Sequence, residues 1–547
     1  MTLSSRSVPP ARWIAVVACV FVLHVVYLNC VAEDAFIALR FASNLAHGQG
    51  LVWNPGAPPV EGYTDFLWVI LCAGAIAIGL PGVAFAQGLS VLAGFATLGL
   101  TYRAGRRLME WPPAVALVPT GLLAVSGPFA TWSSSGMEST LFAFLALLAA
   151  YQLAMFWRDR RIVSACAAAA ALVLASLTRP EGMMLAALLL GLGLAVAIVR
   201  DRTRVAGLAS AAGIYAIGFG AYFAWRYARY GYPMPNTYYA KTGGGVQQVL
   251  RGGLLAYVFL MQFALPLVPA ALVAAWENGP PSIFRNRRVD LALWFRQHAL
   301  AIFSAAICIA YTANNVLVGG DYMAMHRFFV PVLPFMYLLF GLFVAALHRR
   351  IQTAENSFGY ALLLAFVALA TFFPSTPLER SFFASPPQQH GDYRGVQIER
   401  WHVARLTVIG KFFDDYRRDP SESLATTAIG AIGYYADMQI YDIHGLVDTH
   451  IAHTPPPPDF GKRRPGHGRM DLPYTFGLKP TYVMFSRDLT PEPIELWRYV
   501  PDDMRPAVER DYVHRSVQLA DERNAERGYF TFFERRDSAA RRQGAGS

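Results

Sequence analysis

The stretch ARWIAVVACVFVLHVVYLNCVAEDAFIALR, residues 11–40, is an apolar run that ends at two adjacent carboxylates. Residues 13–31 contain no Asp, Glu, Lys or Arg, and about 20 apolar residues cross a bilayer as a helix. No small-residue cleavage site follows, so this run is predicted to be a retained first span rather than a signal peptide. The sequence therefore predicts a membrane protein whose first span ends at Glu33 and Asp34.

The composition extends this pattern through most of the chain. Of the 547 residues, 54% are hydrophobic and only 15% are charged, whereas a soluble globular protein has about 25% charged residues. The apolar runs stop near residue 373, which predicts a transmembrane domain over 1–373 and a soluble domain over 374–547, with an unstructured tail from about 535. The net charge of +10 sits in short Arg clusters between apolar runs, which indicates membrane topology signals rather than nucleic-acid binding.

Eleven segments are predicted to cross the membrane as α-helices. They are 13–31, 83–101, 112–130, 139–157, 162–177, 183–199, 205–225, 252–275, 298–318, 328–347 and 357–373. A further apolar stretch, 64–80, is ambiguous by hydropathy alone.

The Arg clusters resolve this ambiguity, because Arg-rich loops stay on the cytoplasmic side. With residues 1–12 inside, every cluster falls inside only if 64–80 does not cross. The sequence therefore predicts an outer juxtamembrane helix at 64–80 and an extracytoplasmic C-terminal domain. The clusters are Arg103/Arg106/Arg107, Arg158/Arg160/Arg161, Arg200/Arg202/Arg204, Arg285/Arg287/Arg288 and Arg349/Arg350.

The first outer segment begins with the carboxylate pair. An amphipathic helix is predicted over 34–46, ended by Gly48 and Gly50. Adjacent carboxylates at a lipid–water boundary have raised pKa values, which suit a general base, and Asp34 is the favoured residue. The alternative is that Asp34 only caps the helix, and the residues alone leave both interpretations open.

Other outer loops also carry polar chemistry. Arg179 lies between two spans, where it could hold a phosphate bidentately or reach up to lipid headgroups. His326 and Arg327 follow a Gly-Gly turn and offer paired cationic donors. The loop 232–241 supplies aromatic rings that could stack on sugars or form an interfacial aromatic belt.

In the soluble domain, a helix over 406–418 and short strands over 424–436 and 438–446 predict a small α/β domain. The segment 442–453 contains three His residues but matches no standard zinc spacing. A hydrogen-bonded loop or an acceptor site is therefore favoured over a metal site there. Walker A, GxSxG and GxGxxG signatures are absent from the sequence, so nucleotide-driven transport is not supported.

Together these residues resemble the GT-C glycosyltransferases, multispanning enzymes that use lipid-phosphate sugars and carry an acidic pair at the outer end of the first span. The first outer segment, from Glu33 to Tyr63, is similar in order and spacing to the mycobacterial terminal β-(1→2)-arabinofuranosyltransferase group and its proteobacterial relatives. The motifs at 135–138, 178–182, 235–241 and 319–321 also resemble that group. The resemblance implies that Asp34, with Glu33, is catalytic.

The resemblance also suggests two sets of binding residues, with no metal ligands among them. The donor phosphate is expected to contact Arg40, Arg179, His326, Arg327 and Lys241. The substrate is expected to contact Asn44, Asn54, Glu61, Tyr63, Glu138, Glu181, Asn236, Tyr238 and Asp321. No cofactor is implied, and a divalent metal is left open.

The expected function is transfer of a sugar, arabinofuranose by preference, from a polyprenyl-phosphate donor to a glycan or cell-envelope acceptor. The reaction would take place on the periplasmic side of the bacterial inner membrane. The alternatives are a mannosyl- or aminoarabinosyl-transferase of the same fold, a flippase or exporter of lipid-linked sugars, and a non-catalytic scaffold. A flippase would need charged groups at mid-membrane depth, where the predicted spans carry few polar residues.

Overall fold

The computed structural model describes residues 10–264, 291–350, 393–521 and 526–544. The chain forms two compact units: the first comprises 1–30, 86–225 and 249–396, and the second comprises 31–85, 226–248 and 397–547. The two units therefore do not divide at a single point near residue 373. Segments predicted as outer loops belong to the same unit as the C-terminal domain. The predicted span 357–373 and the Arg285 cluster lie outside the described residues.

The α-helices of the described residues are numbered in chain order. They are α1 Pro10–Tyr27, α2 Ala35–Ala46, α3 Phe66–Ala77, α4 Gly82–Arg107, α5 Pro113–Ala124, α6 Gly127–Trp132, α7 Ser139–Asp159, α8 Ile162–Thr178, α9 Glu181–Arg200, α10 Val205–Tyr230, α11 Asn236–Lys241, α12 Gly245–Phe259, α13 Leu291–Val318, α14 Leu333–Arg350, α15 Tyr393–Tyr416, α16 Gly430–Tyr435, α17 Thr449–His453, α18 Leu472–Gly477, α19 Arg505–Asp511 and α20 Arg536–Gly544.

Six helical stretches in the described residues are long and apolar enough to cross a membrane: Gly82–Arg107, Ser139–Asp159, Glu181–Arg200, Arg202–Tyr230, Ala292–Val318 and Ala324–Arg349. Shorter apolar helices accompany them, among them α1, α5 and α8. The predicted span 112–130 is divided into α5 and α6, each of which has a Pro in its first turn. The chain is thus a multi-pass membrane protein, and the count of eleven crossings stays a prediction.

The Arg clusters of the first unit converge. Arg158, at the end of α7, donates to the carbonyl oxygen of Arg107 at the end of α4. Arg204 donates to Phe156 O at 2.8 Å, and both Arg204 and Arg160 pair with Asp201. The opposite ends of α7 and α8 carry Glu138 and Arg179, which pair with each other. Because α7 has 21 residues, about 30 Å of helix separates the two groups, as the topology prediction requires.

The second unit contains a five-stranded mixed sheet in the order β2-β1-β3-β5-β4. The strands are β1 Ser423–Thr426, β2 Gln439–Asp442, β3 Tyr482–Met484, β4 Tyr512–Asp521 and β5 Glu526–Arg535. β1 pairs in parallel with β2 and with β3, whereas β5 is antiparallel to β3 and β4. A buried cluster that includes Ala425, Val483 and Phe533 packs on this sheet, as the α/β prediction requires.

Two details of the soluble domain differ from prediction. Only the first residues of 424–436 are a strand, and Gly430 begins the short helix α16. The tail predicted to be unstructured forms α20, because Arg542 pairs with Glu534 at 2.7 Å and lies over the Tyr416 ring. The Arg-rich composition of this tail predicts exposure to solvent. In the structure, the buried carboxylate of Glu534 pairs with one of its arginines.

The two predicted juxtamembrane helices, 34–46 and 64–80, form α2 and α3. α2 packs against α3 and against α16, so both helices are part of the second unit. Phe36 of α2 lies 5.6 Å, between ring centroids, from Tyr434 and from Tyr435. This packing brings the carboxylate pair at the start of α2 to the soluble domain.

Candidate active site

Asp34 directly precedes α2, but its side chain makes no capping hydrogen bond to that helix. Helix-capping aspartates normally accept a hydrogen bond from an N–H of the first turn. The simple capping interpretation is therefore not supported for Asp34. Its carboxylate is partly buried and close enough to Glu33 and His467 to influence the pKa of each.

Glu33 is held by backbone and carboxylate groups of the soluble domain. Its Oε1 accepts from Gly430 N at 2.6 Å, and its own N–H donates to Glu399 Oε1 at 2.8 Å. A Cβ on Gly430 would lie 2.2 Å from Glu33 O, so this contact requires a residue without a side chain. Burial, followed by the neighbouring charges of Asp34 and Glu399, raises the pKa of Glu33 to about 8. Glu33 therefore carries a proton at neutral pH.

A group of nitrogen bases shares this region. Burial, followed by the proximity of His444, lowers the pKa of His467 to about 3, while Asp34 acts in the opposite direction. The rings of His444 and His467 are 5.1 Å apart. The positive charge of Arg487 acts on Glu33 and on both imidazoles. The histidines are thus neutral, and Arg487 is a cation close to the carboxylate pair.

The sequence predictions missed Glu399, His467 and Arg487. A signal for one of them existed in the segment KRRPGHGR, residues 462–469, which is strongly basic and glycine-rich in an otherwise mixed domain. Glu399 and Arg487 stand in ordinary helical and loop sequence, where nothing distinguishes them before the chain folds.

Lys241 lies beside the same loop. Arg469 donates to Tyr239 O at 3.2 Å and to Thr242 O at 3.1 Å, so both sides of Lys241 are fixed. A Cβ on Gly466 would lie 3.2 Å from Lys241 Cε. The predicted donor-phosphate ligand Lys241 is therefore next to the loop that carries His467.

Arg40, Asn44 and Asn54 make hydrogen bonds within the fold. Arg40 is buried and donates to the carbonyl oxygens of Trp53, Gly433, Ala436 and Met438 and to Asn54 Oδ1. Asn44 donates to Val52 O and Trp53 O, and Asn54 bonds both backbone groups of Ile440. Every N–H of the Arg40 guanidinium thus has an acceptor within the fold, which argues against the predicted phosphate contact.

Glu61, Tyr63 and Asn236 also make internal contacts. Glu61 forms a buried ion pair with Arg226 at 2.6 Å, although burial still raises the pKa of its carboxyl group. The hydroxyl groups of Tyr63 and Tyr230 are 2.9 Å apart. Asn236 Nδ2 donates to the carbonyl oxygens of residues 445 and 446 at 2.9 and 3.0 Å. These side chains connect segments of the second unit, and their role as substrate contacts stays a prediction.

The aromatic loop is divided between packing and exposure. Tyr232 and Tyr239 lie 4.6 and 4.4 Å from the His453 ring, whereas the predicted substrate contact Tyr238 is 45% exposed. Tyr238 thus keeps a ring that a sugar could reach, and Tyr232 is also 40% exposed although it packs on His453.

In the first unit, the structure brings together most of the other predicted residues. Arg179 pairs with Glu138 at 2.5 Å and with Glu181 at 2.8 Å. The Arg-Pro-Glu-Gly turn depends on Gly182, where a Cβ would lie 2.4 Å from Ser176 N. Carboxylates therefore satisfy the guanidinium group that was predicted to bind phosphate.

The second half of this cluster is built by the loop before α14. Arg327 pairs with Asp321 at 2.6 Å, and the guanidinium groups of Arg327 and Arg179 lie 5.1 and 5.2 Å from the Phe328 ring. His326, in the left-handed region at φ 49°, is buried between Phe259 and Phe263 and bonds Gln262 at 2.6 Å. This burial argues against a phosphate contact of His326, and the roles of His326, Arg179 and Arg327 in phosphate binding stay predictions.

The His-rich segment 442–453 is a hydrogen-bonded turn. Asp442 accepts from the backbone N–H groups of His444 and Val447, and Asp448 caps α17 by accepting from Ile451 N at 2.9 Å. Among the described residues, no group of three His, Cys, Asp or Glu side chains is arranged to hold a metal ion. The hydrogen bonds account for this segment without a ligand.

The long apolar helices, the helix that follows the acidic pair and the C-terminal sheet domain form an arrangement that is similar to a solved membrane protein. ArnT from Cupriavidus metallidurans, solved bound to undecaprenyl phosphate and in the apo state, is similar at a TM-score of 0.53 and 15% identity over 96% of this chain and 97% of that chain. This likeness shows that the chain shares its fold with ArnT, and it supports the prediction of a helical membrane domain followed by a small C-terminal sheet domain.

Two further matches concern the whole chain and its C-terminal domain. The archaeal oligosaccharyltransferase AglB from Archaeoglobus fulgidus, in complex with an inhibitory peptide and a dolichol-phosphate, is similar at a TM-score of 0.49 and 12% identity over 95% of this chain and 74% of that chain. A domain of unknown function (DUF8728) matches residues 393–533. No curated protein sequence matches the chain.

Proposed function

We propose that this protein is a membrane glycosyltransferase that moves a sugar from a polyprenyl-phosphate donor to a glycan or cell-envelope acceptor on the periplasmic side. The observation that carries the proposal is the environment of Asp34, a carboxylate that does not cap α2 and that lies next to Glu33, whose pKa is raised by burial and on which the charge of Arg487 acts. The fold likeness to ArnT, which was solved with undecaprenyl phosphate, supports a lipid-phosphate donor.

Asp34 is the proposed general base. Burial, followed by the charges of Asp34 and Glu399, raises the pKa of Glu33 to about 8, which favours the protonated form of Glu33 beside Asp34. The Gly430 and Glu399 hydrogen bonds hold Glu33, and its neighbour Asp34 is thereby held at the start of α2. Glu33, predicted to be catalytic, is better explained as a positioning residue.

The transfer step needs one bond to form and one to break. The acceptor hydroxyl oxygen attacks the anomeric carbon of the donor sugar, and the hydroxyl proton passes to Asp34. The bond between the anomeric carbon and the phosphate oxygen breaks, and its electron pair stays on the lipid phosphate. If configuration is retained, Asp34 would instead stabilise the positive charge that develops on the sugar ring.

A leaving phosphate needs cations rather than a general acid. Lys241 and Arg487 are the proposed phosphate ligands, since Lys241 lies against Gly466 and Arg487 acts electrostatically on Glu33 and His467. Arg179 and Arg327 are weaker candidates, because each already pairs with carboxylates.

Arabinofuranose is the proposed sugar, on the strength of the first outer segment from Glu33 to Tyr63. The test incubates the purified full-length protein with arabinofuranosyl, mannosyl and aminoarabinosyl polyprenyl phosphates and a glycan acceptor. We expect release of free polyprenyl phosphate from the arabinofuranosyl donor, with Asp34→Asn as the inactive reference. Consumption of another donor alone would replace arabinofuranose as the proposed sugar. If the folded protein consumes none of the three donors, the proposal is contradicted.

A further inference from the structure

A cavity of about 430 Å³ lies at the Arg-rich end of the first unit. Three guanidinium groups from separate segments line it: Arg158 at the end of α7, Arg296 near the start of α13 and Arg349 at the end of α14. All three stand within the first or last two turns of a helix, so they lie at the depth where the helices end.

Positive side chains outnumber carboxylates in the described lining of this cavity. Among the described lining residues, Glu110 is the only carboxylate, and it pairs with Arg158 at 3.3 Å. The Nε of Arg296 is buried and has no hydrogen-bond partner in the part of the chain that the structure describes. A buried guanidinium N–H without an acceptor is costly, which indicates that an anion supplies the missing acceptor.

The rest of the lining is mixed, with the polar side chains of Gln297 and His298 beside an apolar part. The apolar part includes Trp111, Leu293, Leu342 and Ala345, and Leu293 is 47% exposed. A free phosphate ion would not contact the apolar part of this lining. A lipid would contact both parts, because its phosphate group lies directly above its hydrocarbon chains. Basic pockets between transmembrane helices on the cytoplasmic side bind anionic lipid headgroups.

We propose that this cavity binds the phosphate group of an anionic phospholipid, on the side of the membrane that the Arg clusters mark as cytoplasmic. Arg296 and Arg349 hold the phosphate oxygens, since a guanidinium group can donate two parallel hydrogen bonds to them. The Leu293 and Leu342 surface accepts the upper part of an acyl chain. This site uses none of the residues proposed for sugar transfer.

The test is native mass spectrometry of the full-length protein, titrated with phosphatidylglycerol, phosphatidylcholine or inorganic phosphate. The pocket variant carries Arg158→Gln, Arg296→Gln and Arg349→Gln. The matched control carries Arg161→Gln, Arg200→Gln and Arg202→Gln, which removes the same charge from exposed positions. We expect the wild type and the control to bind one phosphatidylglycerol and the pocket variant to lose about tenfold or more in affinity.

Three results would overturn the proposal: equal phosphatidylglycerol binding by the pocket variant and the control, no preference over phosphatidylcholine, or inorganic phosphate bound as tightly as the lipid. If the triple variant does not fold, the single variant Arg296→Gln replaces it, with Arg296→Lys as its charge-conserving partner. We then expect Arg296→Gln to bind the lipid more weakly than Arg296→Lys does. If both variants bind the lipid as tightly as the wild type, the proposed site is contradicted.

Discussion

The charged cluster of the first unit and the carboxylate pair of the second differ in how their charges are balanced. Arg179 and Arg327 each have a carboxylate within 3 Å, whereas burial, and then the like charges of Asp34 and Glu399, raise the pKa of Glu33. Opposite charges in contact hold buried groups in one arrangement, but like charges shift a pKa toward the working range of an acid or base. The difference is the reason why we propose a structural role for the first cluster and proton transfer for the carboxylate pair.

Removal of Arg179 should have the largest effect on stability. The Arg179→Ala variant leaves Glu138 and Glu181 buried without their cation, which should cost about 3–5 kcal/mol of unfolding free energy. Thermal unfolding in detergent at pH 7 measures the loss. The control is Arg161→Ala at an exposed position, and a loss no larger than that of the control would mean that the cluster is not structural.

Gly430→Ala should damage the contact that holds Glu33. The added Cβ would lie 2.2 Å from Glu33 O and 2.6 Å from its Oε1, so α16 must move, at about 1–3 kcal/mol, and sugar transfer should fall with it. Gly477→Ala is the matched control, because a Cβ there meets nothing within 4 Å. Equal melting temperatures and equal turnover for the two variants would argue against this positioning role.

Glu33→Gln should change how stability depends on pH. The folded state raises the pKa of Glu33 from 4.5 to about 8, so it binds the proton more tightly than the unfolded chain does. The contribution of Glu33 to stability is complete below pH 4.5 and is lost as the pH rises toward 8, at up to about 1.36 kcal/mol per pH unit.

The measurement for Glu33→Gln is the melting temperature at several pH values from 5 to 9. The wild type should lose stability across this range, and the variant should lose less because glutamine does not titrate. Parallel curves for the two proteins would show that Glu33 has an ordinary pKa.

His450→Ala should have the smallest effect. His450 pairs with Asp471 at 3.0 Å, but its side chain is 50% exposed, and exposed ion pairs contribute about 0–1 kcal/mol. The expected outcome is a melting temperature and a turnover close to the wild type. A large loss of turnover with normal stability would make the segment 442–453 part of the acceptor site.

The features of this chain that its sequence predicts well are those with a periodic or charge signature. Apolar runs, Arg clusters and the acidic pair before α2 all leave such a pattern, because each depends on the side chain's own hydropathy or charge. The membrane fold, the two outer helices and the α/β domain were predictable for this reason.

The roles of Arg40 and Asn54 could not be predicted in this way. Their partners are backbone groups of residues 433–440, almost 400 positions away, and a backbone acceptor has no sequence signature. Glu399 and Arg487 were missed because only folding brings them to α2. A motif thus shows that a residue matters, but not whether its partner is a substrate or the fold.

The most direct test of Asp34 as the base compares Asp34→Asn with Glu33→Gln for turnover of the arabinofuranosyl donor at pH 7 and for melting temperature. We expect Asp34→Asn to lose about 10²- to 10⁴-fold in turnover with little change in melting temperature, and Glu33→Gln to keep most of its turnover. Undiminished transfer by folded Asp34→Asn, or a loss confined to Glu33→Gln, would contradict the assignment of Asp34 as the base.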